Sequence, residues 1–205
     1  MSERRKRGNE TWNRLLDWSE AQLAAERLAG QILLSEGYVS VDPSHPLGGP
    51  DGGKDLTCFK DGEKWRVAVF FSRGKQNFSK IKSKFTSDIS KGRNEKDTDF
   101  IFFVNQYLTL GERAKLMNDF ASLGGENLEI YHLERISLIM DQPRNYPLRA
   151  DFLDIEITKE ELVAFISELE SRLRTNIIDA MVPAIGSIIK EMLDTSYVDS
   201  LRKDV

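Results

Sequence analysis

The stretch Gly48-Gly49-Pro50-Asp51-Gly52-Gly53-Lys54-Asp55, running into Leu56-Thr57-Cys58-Phe59 and then, past Lys60-Asp61-Gly62-Glu63, into Trp65–Phe71, decides the fold. Its first eight residues are a loop on composition. The two apolar runs read as strands, and Asp61-Gly62 between them is a strong hairpin signal. The loop imitates the Gly-x4-Gly-Lys spacing of a phosphate-binding P-loop, but the physics fails. The residue after the lysine should be Ser or Thr to ligate magnesium, and here it is Asp55. Pro50 removes a backbone N–H donor, and the loop leads into a strand rather than a helix N-terminus.

Outward from this hairpin the pattern alternates. Trp12, Leu15, Leu16, Trp18, Leu23, Leu28, Ile32 and Leu33 recur at helical spacings and predict one helix over about Thr11–Ser35, closed by Gly37. Tyr38–Val41 reads as a short strand ended by Pro43 and Pro46. Phe78, Ile81, Phe85 and Ile89 predict an amphipathic helix whose other face carries Lys80, Lys82 and Lys84. The unbroken apolar run Phe100–Val104 marks a strand buried on both faces. A helix over Leu108–Leu123, a strand over Leu128–His132 and a helical turn over Glu134–Met140 follow. This order predicts an α/β fold, a mixed sheet flanked by helices, over residues 11–150. From 157 to 205 the chain changes character: Thr158 and Glu161 form a capping box. The apolar stripe Leu162, Phe165, Ile166, Leu169, Leu173, Ile177, Ile178 then begins a helical extension that Pro183 is expected to kink or interrupt. The extension either covers the sheet or pairs with another copy.

At 205 residues with 40% hydrophobic and 30% charged residues, the chain can bury a real core. No apolar run approaches the ~20 residues of a membrane-spanning helix. The basic start MSERRKRGNE has no apolar segment behind it, so a secretory signal is not expected and the cytoplasm is. A single cysteine, Cys58, excludes a disulfide framework and reads as a small core residue; His45 and His132 form no local metal motif. The net charge of -4 argues against a generic nucleic-acid coat, yet the charge is uneven. Arg73–Lys96 holds eight basic and two acidic residues, whereas Asp151–Val205 holds six basic and twelve acidic.

Two acidic positions carry the candidate chemistry. Asp55 stands at the mouth of a strand, where a carboxylate can hold Mg²⁺ through oxygen. Glu26, in Ala24-Ala25-Glu26-Arg27-Leu28-Ala29-Gly30, lies on a helix whose small residues allow close approach to the sheet and would bring it inward; the alternative is an exposed acid paired with a neighbouring arginine. Ser72-Arg73-Gly74-Lys75-Gln76, with Lys80, Lys82 and Lys84 beyond it, can present cations to a phosphodiester backbone without reading sequence. Asn105-Gln106 either lines the same cleft or simply ends its strand. His132-Leu133-Glu134-Arg135 reads as structural.

The helix bearing Glu26, the strand Tyr38–Val41 and the glycine-rich turn running through Asp51 and Asp55 into the hairpin resemble the PD-(D/E)xK superfamily. That is the restriction-endonuclease-like fold, and the likeness is to Mrr-like domains of bacterial defence proteins over roughly residues 20–132. The resemblance implies an α-β-β-β-α-β core, with Asp55 as acidic metal ligand and Glu26 completing the site, Asp51 being a further candidate for Mg²⁺. It also implies Glu or Gln, one residue, then Lys on the next strand, where this chain has Ala68 and Phe70. Alanine binds no metal and phenylalanine clamps no phosphate, and a metal nuclease needs both functions.

Three functions follow as expectations. The leading one is a nucleic-acid-directed module with a degraded nuclease site, used for recognition or assembly in bacterial defence. It would bind DNA, or RNA, through Arg73, Lys75, Lys80, Lys82 and Lys84. The second is an active Mg²⁺-dependent endonuclease with catalytic Glu26 and Asp55 and with Lys75 as the relocated lysine. The third is a structural adaptor that meets an acidic protein. In each, the C-terminal helices serve a homo-oligomer or a partner subunit, and no membrane is involved.

Overall fold

The computed structural model describes residues 9–43, 55–91 and 99–203, the last without side chains beyond 191. The chain divides into two compact units, 1–157 and 158–205. In the first, helices α1 (Glu10–Leu16) and α2 (Gln22–Ser35) precede strands β1 (Val39–Pro43), β2 (Leu56–Lys60) and β3 (Glu63–Phe70). Helix α3 (Phe78–Lys91), β4 (Asp99–Val104), α4 (Leu110–Ser122), β5 (Asn127–Tyr131), α5 (Leu133–Met140) and α6 (Tyr146–Leu153) complete it. The five strands form one mixed sheet in the order β1-β2-β3-β4-β5. β1, β2 and β3 run antiparallel, while β3, β4 and β5 run parallel through the crossover helices α3 and α4.

Alternation along the strands sorts the side chains into two cores. Val67, Val69, Ile101, Phe103 and Tyr131 face α1, α2, α5 and α6, and Cys58 is buried in this core. Ala68, Phe100, Phe102, Val104 and Ile130 face Ile81, Phe85 and Ile89 of α3 and Leu116 and Phe120 of α4. Every residue of β4 is buried, as its unbroken apolar sequence requires of a central parallel strand. The hairpin turn at Asp61 and Gly62 has positive φ at both residues, 54° and 87°, the backbone that an Asp-Gly pair supplies most easily.

The N-terminal helix is two helices rather than one. The backbone N–H of Gly74 donates to the Leu16 carbonyl at 2.8 Å, and Asn105 Nδ2 donates to the Leu15 carbonyl at 2.7 Å. These tertiary donors take carbonyls that a continuing helix would use, so α1 ends at Leu16. Trp18 then turns inward and sets its ring edge-on to Phe71, with centroids 5.2 Å apart. A sixth helix, α6, occupies a segment whose sequence pattern is too weak to announce it.

The second unit is α7 (Lys159–Lys203), a single 45-residue helix. The Thr158–Glu161 capping box is in place: each backbone N–H donates to the other residue's side chain, at 3.0 and 3.2 Å. Pro183 lies inside the helix and does not interrupt it. Among the described residues, no helix is long and apolar enough to cross a membrane.

α2 lies close on the sheet because Ala25, Ala29 and Gly30 make its buried face small. A Cβ placed on Gly30 would stand 3.2 Å from Leu56 Cδ2 and 3.5 Å from Val41 Cγ1. Gly30→Leu is therefore expected to push α2 off β1 and β2 at a cost of roughly 1–3 kcal/mol, read as a lower urea midpoint. An unchanged midpoint would mean that the helix and sheet do not approach this closely.

Candidate functional site

Val69, on β3, is the point around which the candidate residues gather. Its backbone N–H donates to Asp55 Oδ2 at 2.5 Å, and its carbonyl accepts from Gln22 Nε2, in the first turn of α2, at 2.9 Å. The Asp55 N–H donates in turn to the Val67 carbonyl at 2.9 Å. Asp55 thus closes the β2–β3 ladder with its own carboxylate, which fixes where that carboxylate sits. Glu26 follows Gln22 by one helical turn, on the same side of α2, and is half-buried.

The charges near Asp55 come from two helices, α2 and α3. Burial is the main influence on it and raises its pKa from 3.8 to about 6, against the Val69 hydrogen bond, which lowers it. Glu26 and Asp88 add repulsion and Lys84 adds attraction. Glu26 and Asp55 therefore do act on one another. Among the described residues, the cation acting on Asp55 is Lys84 of α3. Its Nζ lies 2.7 Å from Asp88 Oδ1, and Asp88 is almost wholly buried.

Ala68 and Phe70, the β3 positions where the resemblance implies an amide or acid and a lysine, belong to the α3-side core. Ala68 is fully buried among Ile81, Phe85 and their neighbours, and Phe70 packs on the same cluster. Among the described residues no group of three or more His, Cys, Asp or Glu side chains is placed to hold a metal ion. Among the described residues, Glu26 and Asp55 are thus not joined by a further carboxylate, His or Cys placed to complete a metal site. Asp51 lies outside the described residues.

The basic tract is partly neutralised within the fold. Lys82 pairs with Asp119 of α4 at 2.8 Å, Lys84 with Asp88, and Lys80 donates to Gln76 Oε1 at 2.8 Å. Arg73 and Lys75 are exposed on the loop between β3 and α3. That loop is held by the buried amides at the end of β4. Asn105 Oδ1 accepts from the Ser72 N–H at 3.0 Å, Gln106 Oε1 accepts from the Gln76 N–H at 2.8 Å, and Gln106 Nε2 donates to the Gly74 carbonyl at 3.0 Å. Asn105-Gln106 thus does more than end a strand. It fixes a cation-bearing turn at the carboxyl end of the parallel strands, where open α/β sheets generally present their ligand sites.

Gln22 and Asp88 were not legible as site residues. Gln22 is one polar residue in a helix start, and Asp88 reads as one acid inside a basic run. His132 caps the start of α5 and is mostly buried, with burial and the nearby Arg113 lowering its pKa. Glu134 accepts from the Trp12 indole at 2.9 Å, which ties the start of α5 to α1.

A comparison with protein-family models finds no match to this chain, and a comparison with curated proteins finds none either.

The Asp55 shift carries a stability consequence. Its folded pKa stands above the unfolded value, so the folded state binds that proton more tightly. The stabilisation from the neutral acid is complete below about pH 4 and is lost as pH rises through about 6. Asp55→Asn retains an acceptor for the Val69 N–H and removes the buried charge. It is expected to stabilise the protein at pH 7 by roughly 1–3 kcal/mol, with the gain vanishing near pH 4. Denaturation at the two pH values checks this; an equal effect at both would mean that Asp55 ionises normally.

Proposed function

We propose that this chain is a nucleic-acid-directed, restriction-endonuclease-like module with a degraded nuclease site, acting in the cytoplasm in recognition or assembly within a bacterial defence system. The observation that carries it is the exposed loop bearing Arg73 and Lys75, anchored at the carboxyl end of the parallel strands by Asn105 and Gln106. Two buried amides hold that loop in place, so its cations are presented at low entropic cost. The element order α2-β1-β2-β3-α3-β4 and the place of Asp55 just before β2 support the α-β-β-β-α-β core that the resemblance implies. The defence setting rests on the resemblance alone, an argument by association. Phosphate contact is sequence-independent, so duplex DNA is the favoured target and RNA the second.

The internal pairing of Lys82 and Lys84 directs the binding test to the loop. Arg73→Glu with Lys75→Glu is expected to weaken binding to a duplex oligonucleotide about tenfold or more and to reduce the salt slope by about two. Titrations by fluorescence anisotropy at several salt concentrations measure both. Unchanged affinity and slope in the double variant would remove the recognition reading.

Hydrolysis is tested separately. With plasmid DNA, linear DNA or RNA and Mg²⁺ or Mn²⁺, the wild type is expected to cut no faster than Asp55→Ala. Metal-dependent cutting that disappears in Asp55→Ala would overturn the degraded-site reading. Lys84, the cation beside Asp55, would then be the clamp to mutate next, ahead of Lys75.

A further inference from the structure

Helix α7 carries more apolar surface than an isolated helix can hold in water. Twelve large apolar residues between Leu162 and Ile189 are 40–63% exposed. That leaves on the order of 1,000 Å² of apolar surface on one helix, against the roughly 300–600 Å² of the largest patch on a typical monomer. The same area exceeds the roughly 800 Å² that each partner contributes to a standard specific interface. Among the described residues, the unit to which α7 belongs contains no other helix or strand on which to bury it.

The arrangement within α7 points to the occupant. Ile178, Met181, Val182, Ile185, Ile188 and Ile189 are 46–61% exposed. At 3.6 residues per turn they fall within an arc of about 120°. That is the width of a bundle-facing stripe and broader than the two-stranded seam of a coiled coil. Over the same turns, residues 177–191, the charged side chains are Asp179, Lys190 and Glu191, close to balance. A helix that lies on an anionic lipid surface carries an excess of Lys and Arg on its polar face, and this one does not. Nor does so small a net charge select a strongly charged partner, while like copies meet without repulsion.

We propose that α7 is a self-association element, its apolar residues from Leu162 to Ile189 packing with further copies of this chain into a helical bundle. Ile185 and Ile189 belong to the unit 158–205 and to neither hydrophobic cluster of the α/β unit, so charging them is aimed at α7 alone. Assembly would set several Arg73–Lys75 loops on one particle and raise nucleic-acid avidity without any new contact. The self-association stands whether or not the nucleic-acid reading does, because its test contains no nucleic acid.

The test is the solution mass of the full chain by light scattering over a range of micromolar concentrations. Wild type is expected at a multiple of the 23.4 kDa chain mass, and Ile185→Glu with Ile189→Glu at 23.4 kDa with unchanged α/β thermal unfolding. A wild type at 23.4 kDa throughout overturns the proposal by itself, whatever the variant does. Flotation of that monomer with phosphatidylglycerol vesicles would then assign the face to lipid. A double variant that keeps the wild-type multimeric mass would equally overturn it, by removing this stripe from the interface.

Discussion

The side-chain amides of Asn105 and Gln106 hold the end of α1, the loop after β3 and the end of β4 in a single register. Asn105 is fully buried and Gln106 nearly so. Between them they satisfy the Leu15 and Gly74 carbonyls and the Ser72 and Gln76 N–H groups. Each is a backbone group that an irregular segment would otherwise leave unpaired away from water, at a cost of about 1–3 kcal/mol. The Gln106 carbonyl extends the same set by accepting from the Leu133 N–H at the start of α5. A connection that would ordinarily be mobile is thereby fixed, and with it the positions of Arg73 and Lys75. The whole carboxyl edge of the parallel strands depends on this pair.

A second constraint operates one strand away. The Val69 peptide group is divided between Asp55 and Gln22, which joins the start of β2, the middle of β3 and the first turn of α2. Small residues on α2 make the approach possible, and the approach brings Glu26 within electrostatic reach of Asp55. Helix, strand and carboxylate pair are one arrangement: α2 cannot lift from the sheet without separating the two acids.

What could be read in the sequence follows the range of the forces involved. Strands β2 to β5, helices α3 and α4, the Asp61-Gly62 turn and the Thr158–Glu161 box are set by local periodicity and local hydrogen bonding, and all were legible. The break between α1 and α2 was not, because its cause lies at Gly74 and Asn105, far along the chain. Pro183 was expected to disturb α7, yet the helix continues through it. At the site, Glu26 and Asp55 could be named from residue type and setting. Their tie through Gln22 and Val69 and the neighbouring Lys84–Asp88 pair could not, since those meetings arise only when α2 and α3 pack on the sheet. Lys75 stands on the exposed loop, and among the described residues the cation acting on Asp55 is Lys84.

The carboxylate at position 55 is more than the ladder needs. An asparagine would accept the Val69 N–H and finish the β2–β3 pairing without the burial penalty that raises the acid's pKa to about 6. Ionised, Asp55 also meets Glu26 and Asp88, so near neutral pH the site holds unfavourable electrostatic energy that Lys84 only partly offsets. On β3, Ala68 and Phe70 belong to the α3-side core, where they contribute packing. The strand that anchors the Asp55 carboxylate through Val69 thus gives its alternate positions, Ala68 and Phe70, to hydrophobic packing.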